Sequence, residues 1–592
     1  MRVRNQDRYR WNGDNGLVTV TNQHRILGIL VVVEAMLFLQ FSVAASQDNS
    51  DEKPVPETRQ LESRSNVSDS LGHALRSTMP KIDLPEYVIT GNAVIDLPAV
   101  DKQSAVEDSQ ASYLVSVLNP PLTRSRQTAQ FGVGGKEQIE GTQFSPLNGT
   151  ASASLGSYFT PQAALWFGQT IGNYLYSVGG KYYRTKGFKS STDRSSGSAD
   201  LKGSTTLKSY NPYFDQSDIH SALTYGSETY HWYGTRNPAV SRNNTSLSLS
   251  AGIANWVNSP MPYGLDLGYE NFEVSDSSRI VGETRLRIGG ETRVMATSVP
   301  LNVSLDAQLG SVSYANASTG LSLVELTVAS DRYTLNAFSL KGSIGGYLAS
   351  GMAEQRIVRV YPHLDVAYQV NDRHTLIASY APEVEPATLS AQIVANKYLS
   401  AASTVKHADD QLDATLALES DWSAGVRSKF AARVQSIIDY PLYSDSLSQG
   451  IWLLAYGGRT TIASFSAEIF AKMLANDYFA AKLTATSSYN AKIGGMVPYL
   501  PAVQLGFSYT KQIVSHWTGV ASLSLIHQRK DNVTNANTMP GILLIGLRCE
   551  YELIRQATIF LDVQNLLNQQ YDYWNGYQEN PFVLSAGVSL RW

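Results

Sequence analysis

The sequence predicts an all-β protein, a large antiparallel transmembrane β-barrel of about 20–22 strands behind a disordered amino-terminal tether. Three observations carry this prediction. Apolar and polar residues alternate over many segments of strand length, a signal-like segment precedes them, and the last strand ends on an aromatic residue. Charged residues are 17% of the 592 residues, below the roughly 25% of soluble domains. A net charge of −4 and the absence of a basic stripe argue against nucleic-acid binding.

The amino terminus has the pattern of a secretory signal. The apolar run at 26–43, ILGILVVVEAMLFLQFSV, follows several arginines and precedes V-A-A-S-Q. A positive segment, an apolar segment and small residues at a break predict cleavage after Ala45 or Ser46. The alternative is a membrane anchor, and Glu34 in the middle disfavours both interpretations. We assign residues 1–46 to a signal peptide.

Residues 47–127 are predicted to be a disordered periplasmic tether. The first part of this segment is polar and poor in large apolar residues, so it cannot bury enough surface to fold. Two short patterned pieces follow at 82–91 and 95–98. Both contain a proline, which excludes them from the centre of a sheet.

From residue 128 to residue 592 the alternation becomes pervasive and predicts the barrel. In the last strand, Leu584, Leu590 and Trp592 share one parity, and Ser585 and Ser589 share the other. About 9–11 tilted residues cross a bilayer, which matches this length. Charged residues occur at the alternate positions of each strand that are polar. These positions must face the lumen, because Arg or Lys facing lipid at mid-depth costs about 2–4 kcal/mol. Turn-rich segments at 189–203 and 532–541 are predicted to be surface loops.

The luminal charges admit two interpretations. The cations could line a pathway for anionic substrates, or they could pair with acids of comparable parity and leave a solvated, neutralised lumen. The second interpretation is favoured because both signs occur in similar numbers. The cations are Arg285, Arg287, Arg427, Lys429 and Arg433, and the acids are Asp266, Asp306, Asp413 and Glu419.

No site for catalysis, a cofactor or a metal is predicted. Cys549 is the single cysteine, which excludes an intrachain disulfide and a cysteine-based zinc site. The histidine pairs 220/231, 363/374 and 516/527 are each eleven residues apart, so on one strand the two rings would face opposite ways. No nucleophile elbow, P-loop or dinucleotide fingerprint occurs. The chain is predicted not to be an enzyme.

The carboxy-terminal segment resembles the end of a TonB-dependent receptor. Asp562, Asn565, Leu567, Asn568 and Tyr571 fit the family's D-x-x-N-L-x-N-x-x-Y run ahead of a final strand that closes on L-R-W. The two asparagines suit side-chain-capped turns. The following aromatics suit an interface belt, namely Tyr571, Tyr573, Trp574 and Tyr577. Weaker similarities occur at 156–160, 174–176 and 497–502.

The resemblance implies an outer-membrane protein of a bacterium that moves a substrate across that membrane. It also implies that Phe582, Leu590 and Trp592 form a signal read by the barrel assembly machinery. The alternative is that these three residues only pack against outer-membrane lipid.

The chain departs from the family ahead of the barrel. Full receptors carry a folded plug there, whereas only about 80 polar, proline-broken residues separate signal and barrel here, too few to fold as that domain. A short piece resembles a TonB box, Glu86, Tyr87, Val88, Ile89 and Thr90. The 82–91 segment could add as a strand to TonB or to another periplasmic protein, or it could be a linker. A plug-less structural barrel that anchors periplasmic or envelope partners is therefore the alternative function.

Overall fold

A computed structural model describes residues 149–592, except 257–258, 277–278, 297–298, 315–316, 424, 446–448 and 475–476. The predicted signal peptide, the tether with its TonB-box-like segment and residues 128–148 lie outside the described residues. No helix in the described part has the length and hydropathy needed to span a bilayer.

The described residues form thirty strands and one short helix, α1, at Leu389–Ala395. The strands are β1 (Gly149–Gly156), β2 (Thr160–Ile171), β3 (Tyr174–Thr185), β4 (Arg194–Leu207), β5 (Ser217–His231), β6 (Ser241–Asn255), β7 (Tyr263–Asp276), β8 (Arg279–Ala296), β9 (Val299–Tyr314), β10 (Ala317–Ser330), β11 (Tyr333–Leu335), β12 (Phe338–Ser350), β13 (Arg356–Asn371), β14 (His374–Tyr380), β15 (Glu383–Glu385), β16 (Ala408–Ser423), β17 (Val426–Ile438), β18 (Leu442–Ser444), β19 (Leu453–Ala455), β20 (Arg459–Leu474), β21 (Asp477–Asn490), β22 (Val503–Val514), β23 (Trp517–Ile526), β24 (Arg529–Lys530), β25 (Thr538–Met539), β26 (Ile542–Ile554), β27 (Ala557–Gln564), β28 (Asp572–Trp574), β29 (Tyr577–Gln578) and β30 (Val583–Arg591).

Twenty-two of these strands close into one antiparallel barrel. Each barrel strand pairs with its neighbour along the chain, and β30 pairs with β1 from Thr150↔Arg591 to Gly156↔Ser585. Closure leaves the sheet as a whole with no terminal edge strand, which is the condition for a sheet to span lipid. The predicted fold class and strand number are confirmed.

The outer face of the barrel is apolar. On β30, Leu584 and Leu590 point outward with 40% and 44% of their surface exposed, whereas Ser585 and Ser589 are buried. The same outward apolar parity recurs around the wall, for example at Leu267, Ile288, Leu305, Leu326, Ile344, Leu416 and Ile559. A closed barrel with this exterior is built to lie in a membrane, and the assignment of the apolar parity to the lipid side is confirmed.

The two rims of the barrel differ. At one rim, which we call the turn rim, hairpins such as 372–373, 515–516 and 555–556 join the strands. The chain ends meet there, because the Gly149 amide donates to the Trp592 carbonyl at 2.8 Å. The other rim, the loop rim, carries the long connections 381–407, 439–458, 491–502, 527–541 and 565–582. Outer-membrane barrels have short periplasmic turns and long outer loops, so the loop rim corresponds to the outer rim of such barrels.

The prediction of a loop at 189–203 is wrong over most of its length. β4 begins at Arg194 and pairs with both β3 and β5 through 203. The segment is rich in Ser and Gly, which have low strand propensity. Pairing on both sides decides the conformation of such a strand more than intrinsic preference does. The prediction for 532–541 is confirmed, since this segment lies in a loop-rim connection.

The long connection 381–407 enters the lumen through an interruption in the wall. β13 pairs with β12 from Arg356 to Tyr368, but its pairing with β14 covers only Leu364 to Asn371. Beyond Tyr380 the chain turns inward, and Val384 packs against Tyr347 and Ile357 on the inner wall. Side chains bridge the interruption, because Arg359 Nε donates to Asp409 Oδ2 at 3.0 Å.

Candidate functional site: the loop cap and the luminal chamber

The connection 381–407 crosses the lumen and binds the opposite wall. The Tyr230 hydroxyl at the end of β5 donates to the Lys397 carbonyl, and Arg242 on β6 donates to the Leu399 carbonyl. Barrel strands β7 to β13 lie between β6 and β14 along the wall. The loop therefore crosses the mouth of the barrel and does not stay beside the strands from which it emerges.

Wall residues also hold the short helix within this loop. The Glu283 carboxylate on β8 accepts the amides of Leu389 at 3.0 Å and Ser390 at 2.8 Å. Thr388 caps the same turn by accepting the Ala391 amide at 3.0 Å. Charge-assisted bonds to free helix-end amides are among the stronger polar contacts, and they fix α1 against the inner wall.

His407 anchors the carboxy-terminal end of the 381–407 loop by hydrogen bonds. Its Nδ1 accepts the Ala387 amide at 3.2 Å and its Nε2 donates to the Ser350 carbonyl at 3.2 Å, which requires the neutral ring. The residue is 2% exposed. Burial lowers the pKa of His407 below its ordinary value.

We expect acid to loosen this end of the loop. A lowered histidine pKa means that the stabilising contribution is present above the unfolded pKa of about 6.5 and is lost as the pH falls below it. Proteolysis of 381–407 should therefore accelerate between about pH 8 and about pH 5. His407→Gln should abolish this dependence, whereas His374→Gln, at the turn rim, should retain it. Equal protection of the wild-type loop at both values contradicts the assignment.

Four loops meet in an aromatic core, and we call these loops the loop cap: 381–407, 439–458 without its undescribed residues, 491–502 and 565–582. The cap core consists of one or two rings from each loop, Tyr398, Trp452, Tyr499, Trp574 and Tyr577. Tyr398 stacks on Tyr577 with ring centroids 3.4 Å apart, and Trp452 meets Trp574 edge-on at 5.4 Å. Tyr398, Trp452 and Tyr577 are 0% exposed. The cap is thus a small hydrophobic core across the outer mouth.

Hydrogen bonds satisfy the polar ends of these rings. Trp452 Nε1 donates to the Tyr499 hydroxyl at 3.1 Å, and the Tyr577 hydroxyl donates to the Gly450 carbonyl at 2.8 Å. Burial raises the pKa of Tyr398, Tyr499 and Tyr577, so these hydroxyls stay protonated. The Trp452 indole and the Tyr577 hydroxyl are therefore hydrogen-bonded inside the cap core.

The predicted interface belt at 571–577 is wrong. Trp574 and Tyr577 are 7% and 0% exposed in the cap, and Tyr571 and Tyr573 pack against the small cluster around Ile542. An aromatic loop can turn toward lipid or over the lumen, and its composition is the same in both cases.

The predicted asparagine turns that begin this loop are confirmed. Asn565 and Asn568 have φ of 49° and 50°, a left-handed conformation that asparagine tolerates. The Asn565 side chain accepts the Gln569 amide at 2.9 Å, and the Asn568 side chain accepts the Phe582 amide at 3.0 Å.

A cavity of about 710 Å³ lies in the lumen against the cap, within the roughly 300–1,000 Å³ typical of small-molecule sites. We call it the luminal chamber. Barrel strands β4 to β7 line it on one side and β22, β23, β27 and β30 on the other, and β24, α1 and loops 491–502 and 565–582 cover it. Arg194 and Glu228 pair across neighbouring strands at 2.6 Å, and burial lowers the pKa of the Lys397 ammonium at its edge.

The five luminal cations predicted from the sequence are paired. Arg287 contacts Asp306 at 2.6 Å, and Arg433 contacts Asp413 at 2.7 Å. The remaining predicted groups pair similarly, Lys429 with Glu419, Arg427 with Asp421, Arg285 with Glu270, and Asp266 with His220. The interpretation of a mutually paired lumen is confirmed for these residues. Within the described residues, no group of three His, Cys, Asp or Glu is placed to hold a metal ion.

The predicted assembly residues do not meet at one site. Phe582 precedes β30 at the loop rim, whereas Leu590 and Trp592 lie at the turn rim, each 44% exposed. The Trp592 ring covers Gly149, where an added Cβ would lie 2.7 Å from it. A side chain at that position would therefore have to displace the Trp592 ring from the seam between the first and last strands.

The loop cap and the chamber were not predicted from the sequence. A usable signal was present in the loops themselves. Trp452, Tyr499, Trp574 and Tyr577 are large aromatic residues in connections that a purely solvent-exposed loop would fill with polar residues.

The sequence matches no protein-family model and no curated protein, but the fold matches solved structures. The F3-3 variant of the FrpB iron transporter from Neisseria meningitidis aligns at TM-score 0.59 and 9% identity, over 75% of this chain and 81% of that one. The siderophore receptor PiuA from Acinetobacter baumannii aligns at 0.57 and 9%, over 76% and 82%. The ferric-catecholate import receptor Fiu from E. coli K12, in its closed form, aligns at 0.56 and 10%, over 75% and 82%. The chain has the fold of a TonB-dependent-receptor-like β-barrel.

Proposed function

We propose that this protein moves a substrate across the outer membrane and that the loop cap is the gate of the pathway. The observation that carries the proposal is the placement of the cap. Four loops close the outer mouth directly over a chamber of about 710 Å³ that has the volume of a small-molecule site. A substrate that enters from outside must displace the cap before it reaches the chamber.

The cap is suited to open without unfolding the wall. It joins the barrel through loops and side-chain bonds, whereas the 22 barrel strands form their own closed ladder. Loop clusters belong to the less stable end of a protein's local unfolding energies. Proteins of similar fold include an iron transporter and a siderophore receptor, which supports transport as the role of this barrel.

The amino-terminal segments complete the proposal. Residues 1–46 direct export, and 47–127 form a tether without a folded plug. Glu86 to Thr90 add as a strand to TonB or another periplasmic protein, since main-chain pairing gives such strands their affinity. Phe582, Leu590 and Trp592 serve as the assembly signal. A 15N-labelled peptide of 82–91 titrated with the periplasmic domain of TonB tests the docking step, which fails if no resonance shifts.

The second candidate is a structural barrel that anchors envelope partners. The observation that favours it is the complete burial of Tyr398, Trp452 and Tyr577 in the cap core, as in a permanent lid. Cross-linking Ser400→Cys to Leu453→Cys in a Cys549→Ser background would lock two cap loops together. Transport predicts that cells with the locked protein stop depleting some compound that cells with the free protein remove from the medium. Identical depletion profiles favour the structural barrel.

The chain should be electrically silent in a planar bilayer, with or without residues 47–127. The cap closes the mouth in both forms, so removal of the tether leaves the barrier in place. Single-channel recording of the two purified forms measures this. Large steady conductance of the full chain contradicts a closed cap. Conductance that appears only after the deletion would show that the tether, and not the cap, blocks the lumen.

A further inference from the structure

We propose that the luminal chamber binds a small organic anion, held by the guanidinium of Arg529 and the side-chain amide of Gln504. The inference rests on the proposed function and names the class of substrate that the same chamber would take.

Arg529 is a buried cation with a donor left over. The residue is 4% exposed, and its Nη2 donates to the main-chain carbonyls of Asp572 and Tyr573. Its Nη1 is buried without a hydrogen-bond partner, and the residue lines the chamber. Main-chain carbonyls are dipoles and do not neutralise a guanidinium, so the site favours an anion.

Gln504, which lines the same chamber, carries a second unused donor. It is 5% exposed, its Nε2 has no partner, and it lines the cavity. Gln504 pairs with Ile526 in the β22–β23 register, and Arg529 follows Ile526 by three residues. Gln504 thus lies at the loop-rim end of β22 and Arg529 just beyond the end of β23, and both residues line the chamber. A carboxylate has two acceptor oxygens, and such a pair of donors suits it.

The opposite wall offers an acceptor. Asn244 on β6 is 8% exposed, its Nδ2 donates to the Tyr230 hydroxyl at 3.2 Å, and its Oδ1 has no partner. Phe272 and Trp574 line the space as apolar surface. The chamber is therefore suited to a ligand with an anionic group at one end, an apolar or aromatic middle and a hydrogen-bond donor at the other end.

The test compares three probes on the purified full chain in detergent by saturation-transfer NMR. They are para-hydroxybenzoate, its neutral isostere para-hydroxybenzamide, and benzoate, which lacks the hydroxyl donor. We expect para-hydroxybenzoate to bind, the amide to bind at least about tenfold more weakly because the charge-assisted bond is lost, and benzoate to lie between them. An amide that binds as well as the acid, or no binding by either acid, overturns the inference.

Variants test the two donors separately, and only Gln504 is free of a bond to the cap in this comparison, because Arg529 Nη2 also holds loop 565–582. Gln504→Leu removes one donor on β22, outside the four cap loops, so it should weaken binding of the acid several-fold while the chain stays silent in a bilayer. Arg529→Lys keeps the charge and should retain part of the affinity, whereas Arg529→Met should abolish acid binding. Gln169→Leu, on β2 beside Tyr176, is the matched control. Unchanged affinity in both Gln504→Leu and Arg529→Met overturns the inference.

The two proposals fail separately. Carboxylate-dependent binding without any difference in uptake between free and locked chains supports this inference and overturns transport. A cap-dependent difference in uptake without carboxylate-dependent binding supports transport and overturns the anionic class.

Discussion

Trp452→Ala is expected to turn a silent barrel into a conducting one. Trp452 is 0% exposed and lies against Tyr398, Tyr499, Trp574 and Tyr577. Truncation of a buried tryptophan to alanine lowers the stability of the packed structure by about 3–5 kcal/mol. A cluster of loops has little local stability to lose, so the four loops should separate. None of these rings belongs to the 22 strands of the barrel, so the barrel itself should stay folded.

The polar contacts of Trp452 reinforce this expectation. Its carbonyl accepts the Ser400 amide at 2.8 Å, and its indole donates to Tyr499. Loss of the ring would leave the Tyr499 hydroxyl without that donor and would let water reach the main-chain bond. Single-channel recording should show frequent long openings, and protease should cut 381–407 and 565–582 faster in the variant.

Trp422→Ala is the matched control for this experiment. Trp422 is 54% exposed at the turn rim, where its indole donates to Ser428 at 2.8 Å. The same chemical change far from the cap should leave the barrel silent and its loops protected. A folded Trp452→Ala protein that stays silent would show that the cap core is not the barrier to ions.

The barrel wall could be predicted because its signal is local. A strand in a closed barrel has lipid on one side and the lumen on the other, so each residue's polarity reports its own environment with a period of two. Leu584, Ser585, Ser589 and Leu590 show the pattern within one strand. The strand number followed from the length of a hairpin and the length of the chain.

The cap could not be predicted because its contacts are long-range. The Tyr577 hydroxyl bonds the Gly450 carbonyl 127 residues away, and Tyr230 bonds Lys397 across 167 residues. Nothing in the neighbourhood of Tyr577 shows whether it turns toward lipid or over the lumen. The chamber could not be predicted for the same reason. Arg529 and Gln504 are residue types that any luminal strand end can carry, and only the fold shows that their donors lack acceptors.

Arg433→Met is expected to destabilise the barrel strongly, although the residue lies in a lumen that the sequence predicts to be wet. Arg433 Nε donates to Asp413 Oδ1 at 2.8 Å and Nη2 donates to Oδ2 at 2.7 Å, a two-point contact between β17 and β16. The Asp413 side chain is only 6% exposed and that of Arg433 is 25% exposed. Removal of one partner of a buried pair costs about 3–5 kcal/mol, because the other charge stays buried. The partial exposure of Arg433 places the expected loss near the lower end of that range.

Arg427→Met provides the contrast, because it breaks a pair between the same two strands at the turn rim. Arg427 and Asp421 are 74% and 64% exposed at 3.1 Å, and an exposed pair contributes about 0–1 kcal/mol. Urea titration of both variants in lipid vesicles, followed by tryptophan fluorescence, should shift the midpoint clearly only for Arg433→Met. The double variant Arg433→Met with Asp413→Leu should recover much of the loss, since it leaves no buried charge. Equal shifts for Arg433→Met and Arg427→Met would mean that water reaches both levels of the lumen. Unequal shifts would place the dry part of the lumen beneath the cap, on the side from which a substrate must enter.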